Sequence, residues 1–497
     1  MHLFIRRMSG ASLALLLSVV GVSAGARDLP LIAAIKSQDA GTVRSLLRGV
    51  TDVNALTPDG ATALHWASYV DAPALADLLI AAGADVNVAN DYGVTPLSLA
   101  CTNGAAAMVT TLLAAGADPN AARATGETPL MTCARTGNLD TVLALLSHEA
   151  DQTAAESWQQ QTALMWAAGE GHTKVARALV AHGANVRARS RSGFTALLIA
   201  ARHDERELTR LLLNAGAEVN DTAPDGTTAL LVATVRGHAA LAIMLLEQGA
   251  DPNADGTGYT PLHWAAGSWH TELTGSLRGI ATERDDEWRS LNGLRAGKTE
   301  LVQALLSHGA DPHARIVRHP PQFGYASQRF RVSLVGATPF LLAAMDGNLG
   351  VMRALAAAGA DPLMGTEQHT TPLMVAAGLG QVPAETRVSE RDSLDATRFA
   401  LELGADVNAT NDVGRTALHG AAHIRSDAIV QLLVDHGAPV NVEDQRGITP
   451  LMIAEGGGHI LLPGLGGGTT ADLLRALGSD ATSPSKAIDV FNQGPIR

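Results

Sequence analysis

Aromatic residues are scarce in this sequence, which has 7 Phe, 6 Trp and 4 Tyr among 497 residues. Apolar residues nevertheless make up 46% of the chain, and Ala and Leu supply most of them. This composition excludes an intrinsically disordered protein, because disordered chains are poor in apolar residues. A large core built from small side chains requires elements that pack against one another at close range.

Cysteine and positive charge are also in short supply. Two cysteines exclude a small fold that is held together by several disulfides. The 36 basic and 49 acidic residues leave a net charge of −13, which disfavours a general binder of nucleic acids or anionic membranes. We therefore expect neither nucleic acid nor a membrane among the partners.

Long apolar runs are absent except near the start of the chain. Arg6 and Arg7 precede an uncharged run over residues 11–22, and Ala24-Gly25-Ala26 follows. This arrangement is typical of a secretory signal peptide, and the run is shorter than the roughly 20 residues that span a bilayer. We predict that residues 1–26 are a signal peptide for the general secretory or the twin-arginine route. The mature protein is expected in the periplasm or outside the cell.

One tripeptide recurs along the rest of the chain: Thr, then Pro or Ala, then Leu or Phe. Most steps between successive copies are 32 to 34 residues, and the longer ones are 78 and 45 residues. A Gly-Ala-Asp mark, as in Gly83–Asp85, follows several copies 21 residues later. The copies begin at Thr62, Thr95, Thr128, Thr162, Thr195, Thr228, Thr260, Thr338, Thr371, Thr416 and Thr449.

This period, with Thr-Pro-Leu-His-Trp-Ala at Thr260–Ala265, resembles the ankyrin repeat. The resemblance implies an all-α fold, an ankyrin-repeat α-solenoid of about twelve helix-turn-helix units with projecting β-turn loops. Local chemistry agrees, because Thr caps a helix, Pro suits its first turn and Gly ends the second helix. We assign a capping repeat to residues 27–57, regular repeats to 58–266, a repeat with two insertions to 267–336, further repeats to 337–478 and a flexible tail to 479–497.

Two large insertions fall within residues 267–336. One separates the two helices of a unit, at about residues 271–298, and the other lengthens the next loop, at about residues 315–335. Smaller insertions are expected near residues 381–391 and 456–468. Insertions in repeat arrays map to loops, often on a binding face.

The loop insertion reverses the charge of the chain locally, because no acidic residue occurs from Pro312 to Met345. Arginines beside aromatics favour recognition of a carboxylate, a phosphate or an acidic partner. Alternatively, the loop folds over the array and its arginines pair with the protein's own acids. The candidate binding residues are Arg315, Arg318, Phe323, Tyr325, Arg329, Phe330 and Arg331, with Trp269 and Trp288 from the neighbouring insertion.

Loop tips beside the motif's Gly or Thr are where variable side chains of ankyrin repeats project. We expect further partner contacts there from Tyr92, Trp158, Phe194 and Tyr259.

The histidines have structural interpretations. The resemblance gives His65, His263 and His419 a role in bonding adjacent loops. Other histidines recur at the end of the second helix, where an imidazole can meet terminal carbonyls; they are His148, His182, His308 and His436.

Cys101 and Cys133 fall in the first helices of successive units, one position out of register. Stacked helices lie about 8–10 Å apart, whereas a disulfide needs Cα atoms within about 7 Å. We therefore predict two buried free thiols. The glycine tract over residues 456–468 lacks Gly-Lys-Ser/Thr, so we interpret it as an insertion and not as a phosphate loop.

No catalytic or metal-binding constellation stands out, and we predict no catalytic residue, no metal and no cofactor. The leading hypothesis is a monomeric, non-enzymatic module for protein–protein interaction in the bacterial periplasm or outside the cell. It would bind its partner through the loop tips, the concave face formed by loops and first helices, and the insertions of residues 267–336. The alternatives are an accessory or inhibitory subunit of an exported enzyme, and an enzyme or small-molecule receptor. The last would have a pocket under the insertions that joins Trp269, Trp288, Tyr325 and the arginines.

Overall fold

The structure is a computed structural model that describes residues 29–49, 51–267, 297–318, 332–381, 388–456 and 468–479. These residues form 24 α-helices in twelve consecutive pairs, and their only β pairing is one bridge between Ala155 and Thr162. The all-α repeat fold is confirmed. No helix among the described residues is long and apolar enough to cross a bilayer. The predicted signal peptide and residues 480–497 of the predicted tail lie outside the described residues.

The chain divides into two compact units, and the first ends at Pro224. Its described part consists of six helix pairs. The helices are α1 (Pro30–Lys36), α2 (Ala40–Leu47), α3 (Ala63–Tyr69), α4 (Pro73–Ala81), α5 (Pro96–Asn103), α6 (Ala106–Ala114), α7 (Pro129–Thr136), α8 (Leu139–Ser147), α9 (Ala163–Gly169), α10 (Thr173–Ala181), α11 (Ala196–Arg202) and α12 (Arg206–Asn214).

The second unit starts at Asp225, and its described part also has six pairs. The helices are α13 (Ala229–Val235), α14 (Ala239–Glu247), α15 (Pro261–Ala266), α16 (Lys298–Ser307), α17 (Pro339–Met345), α18 (Leu349–Ala357), α19 (Pro372–Ala376), α20 (Glu390–Glu402), α21 (Ala417–Ile424), α22 (Asp427–Asp435), α23 (Pro450–Ala454) and α24 (Thr469–Ala476).

The recurring Thr and Gly fix where each pair begins and ends. Thr95 has extended backbone, and its side chain accepts the N–H of Ser98 at 3.2 Å, so it caps α5. Gly116 follows α6 with a φ of +88°, in the left-handed region that favours glycine. Its N–H donates to the carbonyl oxygen of Leu113, three residues earlier, and the helix ends there. Both signals are local, which is why the sequence reveals them.

Small side chains fill the interfaces between successive first helices. In the first unit α5 contacts both α3 and α7, and Ala100, Ala134 and Ala167 are all completely buried. Residues of this size allow close approach of helices that are only two turns long. The scarcity of aromatics in the sequence is therefore a packing requirement of the array.

A ladder of asparagines links the loops of successive pairs. The side-chain amide of Asn54 donates to the carbonyl of Gly83 at 3.1 Å, and its Oδ1 accepts the N–H of Asp85 at 2.8 Å. The same two bonds recur at Asn87 and Asn120. Each loop is thereby tied to the next by a side chain that satisfies backbone groups at a helix end.

Cys101 of α5 and Cys133 of α7 form a disulfide, so the prediction of two free thiols is wrong. Their Cα atoms are 4.7 Å apart, and both residues are fully buried. The expectation used the distance between helix axes, about 8–10 Å. Each Cα lies about 2.3 Å from its own axis, so two residues on facing sides come much closer. The one-position offset places these two cysteines on such facing sides.

Candidate functional site

Loop tips between successive pairs present side chains at set distances from the capping Thr. Tyr92 lies three residues before Thr95 and is 51% exposed. Asn90 holds this tip, because its Oδ1 accepts the N–H of Tyr92 at 3.0 Å and that of Val94 at 2.9 Å. The exposed phenol therefore stands on an ordered turn.

The tip that carries Trp158 has an unusual anchor. Glu156 is buried, and its carboxylate accepts the backbone N–H groups of Trp158, Gln159 and Gln161 at 2.6 to 3.0 Å. Hydrogen bonds to a charged acceptor are about twice as strong as neutral ones. Trp158 itself is 56% exposed. Trp158 is therefore the largest exposed apolar side chain among the described residues, and the carboxylate of Glu156 holds its loop in place.

Neighbouring tips brace the Trp158 loop on both sides. The backbone N–H of Ser157 donates to Thr125 at 2.8 Å. On the other side, the N–H of Arg191 donates to the carbonyl of Gln159 at 2.6 Å, and the Arg191 guanidinium donates to Ser157 at 2.8 Å. An exposed arginine on the adjacent tip therefore bonds to the loop that carries the exposed indole.

Phe194 and Tyr259 occupy a different position, immediately before the capping Thr. Phe194 is half-buried. Tyr259 is only 3% exposed, and its ring meets Trp264 edge-on with centroids 5.7 Å apart. Burial raises the pKa of the Tyr259 phenol above its ordinary value. The expectation that Tyr259 projects from a tip is wrong, because its ring packs against Trp264 of the helix that follows.

Arg315 and Arg318 lie at the near end of the loop insertion and bind backbone carbonyls of adjacent loops. Arg318 donates from Nε and Nη2 to Thr257 at 3.1 and 2.8 Å. Arg315 donates to Gly365 at 2.8 Å. Among the described residues neither forms an ion pair with an acidic side chain. Both residues are exposed while they hold the start of the insertion in place.

The other predicted residues of the insertions lie outside the described part of the chain. The hypothesis of a pocket under the insertions depends on five of them, so it stays a prediction. These residues are Trp269, Trp288, Phe323, Tyr325, Arg329, Phe330 and Arg331.

The capping histidines join adjacent loops, which confirms their structural interpretation. His65 Nδ1 accepts the N–H of Thr62 at 3.1 Å, so its Nε2 carries the proton and donates to the carbonyl of Val94 at 2.9 Å. His263 and His419 make equivalent bonds. Burial lowers the pKa of His263 to about 4 and lowers those of His65 and His419 in the same direction. All three are neutral at pH 7.

The histidines at the ends of second helices also have the predicted role. In each, Nδ1 lies 2.8 to 2.9 Å from the carbonyl oxygen four residues earlier. These four residues are His148, His182, His308 and His436.

Within the described ranges, no three His, Cys, Asp or Glu side chains are grouped so that they could hold a metal ion.

Glu156 is the functional residue that sequence analysis missed. The step of 34 residues from Thr128 to Thr162 reveals one extra residue in this loop. The spacing alone does not indicate that a buried carboxylate accepts hydrogen bonds from the backbone N–H groups of this longer loop.

A family model described as ankyrin repeats (3 copies) matches most of the chain. The matched ranges together cover more than half of it. They are residues 7–90, 31–123, 71–156, 153–223, 197–278 and 387–462.

Individual proteins resemble shorter parts of the chain. Ankyrin repeat domain-containing protein 63 of Mus musculus is 39% identical over 93 residues, which are 19% of this chain and 22% of that protein. The protein named Probable 26S proteasome regulatory subunit p28, from Saccharomyces cerevisiae, is 32% identical over 127 residues, 25% of this chain and 50% of that protein. This chain spans half or less of the length of these two relatives. The crystal structure of the human ASB11 ankyrin repeat domain matches with a TM-score of 0.41 and 26% identity, over 45% of this chain and 99% of that one.

Proposed function

This chain is a member of the ankyrin-repeat family, whose repeats generally mediate protein–protein interaction. We propose that the protein is exported and non-catalytic, and that it binds a partner protein through its loop tips. The exposed tips of the first unit are one proposed binding surface, and the insertions of residues 267–336 in the second unit are another.

The exposed Trp158 on its braced loop carries this proposal. Tryptophan, tyrosine and arginine are the residues that dominate binding energy at protein interfaces, and Arg191 lies on the tip that braces the Trp158 loop. Its loop is already held by Glu156 and by both neighbouring tips, so little conformational entropy remains to be lost on binding. An exposed apolar side chain on a rigid loop is suited to contact with a partner, and it contributes little to the fold of the isolated protein.

Two features support export. Residues 1–26 have the charge and apolar pattern of a secretory signal peptide. The Cys101–Cys133 disulfide fits an oxidising compartment, because disulfides persist there and are rare in the cytosol. A periplasmic or extracellular site of action accounts for both.

The insertions are a separate proposed binding surface, and the near end of the loop insertion is held in place. Arg315 and Arg318 tie the near end of the loop insertion to neighbouring loops. The sequence after them, from Phe323 to Arg331, combines further arginines and aromatics without an acidic residue. Such a segment favours an acidic patch on the partner.

A role as an accessory subunit of an exported enzyme is the second candidate. The yeast relative is named a regulatory subunit of a larger assembly, and the same mode of action suits a module that binds without catalysing. The identity of the captured partner decides between this role and that of a free-standing binding protein.

Affinity purification from a periplasmic extract of the native host tests the proposed function. The tagged wild type, Trp158→Ser and the control Leu143→Ser are compared; Leu143 is an apolar residue on α8 that is 39% exposed. Wild type and control should retain the same protein, and Trp158→Ser should recover about a tenth or less of it, which corresponds to the loss of one hot spot. Equal recovery by all three would remove the loop tips from the binding face.

A further inference from the structure

The asparagine ladder is interrupted at Asn408 in the second unit. In the rung of Asn54, the side-chain Oδ1 accepts the N–H of Asp85, 31 residues later, and the amide donates to Gly83. The residue 31 positions after Asn408 is Pro439, and a proline has no N–H to donate. Among the described residues the Asn408 side chain makes no hydrogen bond, and Asn408 is exposed. Its amide group is therefore available to other chemistry.

The turn that carries Asn408 is held by bonds within the turn itself. The N–H of Asn408 donates to Oδ1 of Asp406 at 2.9 Å, and the N–H of Ala409 donates to the carbonyl of Asp406 at 3.2 Å. Within the described part of the chain, no hydrogen bond ties residues 408–410 to another loop. Thr410 is exposed, like Asn408. An enzyme can therefore reach this segment without breaking a hydrogen bond between loops.

A hydroxyl residue stands two positions after Asn408. Asn408-Ala409-Thr410 is an Asn-x-Ser/Thr sequence, the acceptor of N-linked glycosylation in secreted proteins. The ladder asparagines whose amides bind a carbonyl at the next helix end have neither Ser nor Thr at that position. They are Asn54, Asn87, Asn120, Asn253 and Asn441. The missing rung and the acceptor sequence thus coincide at Asn408.

A second Asn-x-Thr sequence, Asn220-Asp221-Thr222 in the first unit, is bound to its neighbours. Arg189 donates from Nη2 to the carboxylate of Asp221 at 2.7 Å and from Nη1 to the carbonyl of Thr222 at 2.6 Å. Asn220 also has a partner of its own. An enzyme would have to break these contacts before it could draw the segment away from the array. This second sequence is therefore an internal control for Asn408.

We propose that Asn408 is a site of N-linked glycosylation. In this reaction the amide nitrogen of Asn408 attacks the anomeric carbon of the first sugar of an oligosaccharide that is linked to a lipid diphosphate. The new C–N bond replaces the C–O bond to the diphosphate, and the lipid diphosphate leaves. The nitrogen loses one proton to a base of the transferring enzyme. The proposal rests on the proposed export, because this sequence is an acceptor in secreted proteins.

The position of Asn408 accommodates a large hydrophilic group. Asn408 is exposed, and a sugar on its amide displaces no hydrogen bond among the described residues. The same sugar on Asn54 would disturb the bonds to Gly83 and Asp85. The stack therefore tolerates the modification at the interrupted rung and resists it at the intact ones.

Mass spectrometry of protein from the native host tests this proposal. The tagged full-length protein is purified from the cells and from the medium and is digested. Peptides that contain Asn408 or Asn220 are fragmented by electron transfer, which leaves a sugar attached to its residue. An oligosaccharide should be found on Asn408, and a larger fraction of Asn408 than of Asn220 should carry it.

Three variants keep both asparagines and change a hydroxyl residue. Thr410→Val should abolish the modification of Asn408, because the acceptor sequence requires Ser or Thr there, and Thr410→Ser should retain it. Thr222→Val is the matched control, and it should leave Asn408 modified as in the wild type. Thr410 and Thr222 are both exposed, and circular dichroism verifies that each variant folds.

Two results would overturn the glycosylation proposal: an unmodified Asn408 in the wild type, or a modification that persists in Thr410→Val. The N-terminal peptide of the same sample shows whether residues 1–26 have been removed. A mature N-terminus with an unmodified Asn408 would contradict glycosylation alone, whereas a retained N-terminus would contradict the proposed export as well. Capture of a partner by the wild type and Trp158→Ser is a separate measurement.

Discussion

The side-chain amide of Asn253 donates to the carbonyl oxygen of Gly309 at 2.8 Å, although 56 residues separate them in sequence. Its Oδ1 accepts the N–H of Asp311 at 2.7 Å. These are the bonds that Asn54 makes to a loop 29 and 31 residues away. The stack therefore closes across the long insertion as if that insertion were not there.

Removal of the insertion should leave the fold intact. We expect a variant in which residues 268–296 are replaced by the short connection Arg236–His238 to melt within about 3 °C of wild type. The reason is that α15 contacts α13 and α16 contacts α14, as in regular pairs. Thermal circular dichroism measures the change, and an unfolded or aggregated variant would show that the insertion is part of the core.

Acid should destabilise the second unit through His263. Its pKa is lowered from 6.5 to about 4 in the folded protein, so between these values the unfolded state binds the proton and the folded state does not. Stability is complete above pH 6.5 and falls as the pH drops toward 4, by about 3 kcal/mol for this group. Urea unfolding at several pH values, followed by tryptophan fluorescence, measures it.

Two variants identify the group responsible. His263→Gln should weaken the dependence between pH 6.5 and 4, and the part that remains is expected from His65 and His419. His148→Gln should preserve the full dependence, because His148 is exposed at a helix end. An unchanged pH profile in His263→Gln would contradict the assignment.

The disulfide should form in protein isolated from an oxidising compartment, and it should stabilise the fold. A thiol titration of denatured, unreduced protein is expected to find no free thiol. Closure of the loop between Cys101 and Cys133, which are 32 residues apart, contributes about 3–4 kcal/mol in the chain-entropy model. Cys101→Ser/Cys133→Ser should unfold at correspondingly lower urea concentration. Two titratable thiols in periplasmic protein would refute the bond.

A buried ion pair should couple two pairs of the second unit. Lys298, the first residue of α16, pairs with Asp346 just after α17, and their side chains are only 8% and 12% exposed. Lys298→Met should cost about 3 kcal/mol because it leaves a buried carboxylate without this partner, and Lys298→Met/Asp346→Leu should recover much of that loss. The exposed pair Arg187 and Glu218, each 57% exposed, is the control, with an expected coupling below about 1 kcal/mol.

Sequence predicts this fold well because its determinants are local. Thr95 caps a helix and Gly116 ends one through contacts within four residues, and their 33-residue recurrence locates every pair. The disulfide and the buried Tyr259 were missed for a different reason. The disulfide depends on how one first helix faces the next, and the burial of Tyr259 depends on the packing of its ring against Trp264. Spacing along the chain encodes neither.

The candidate site shows the same division. Tyr92 and Trp158 follow from their places beside the motif. The Glu156 anchor joins groups whose proximity becomes visible only once the loop is built.

Site-specific photocrosslinking in the native host tests the central claim most directly. A photoreactive phenylalanine analogue is placed at Trp158, at Tyr92 or, as the control, at Leu143, and the periplasmic fraction is irradiated. We expect one partner protein to be crosslinked at Trp158 and at Tyr92 and not at Leu143. Crosslinking at Leu143 alone, or none at either tip, would contradict a protein-binding face formed by the loop tips.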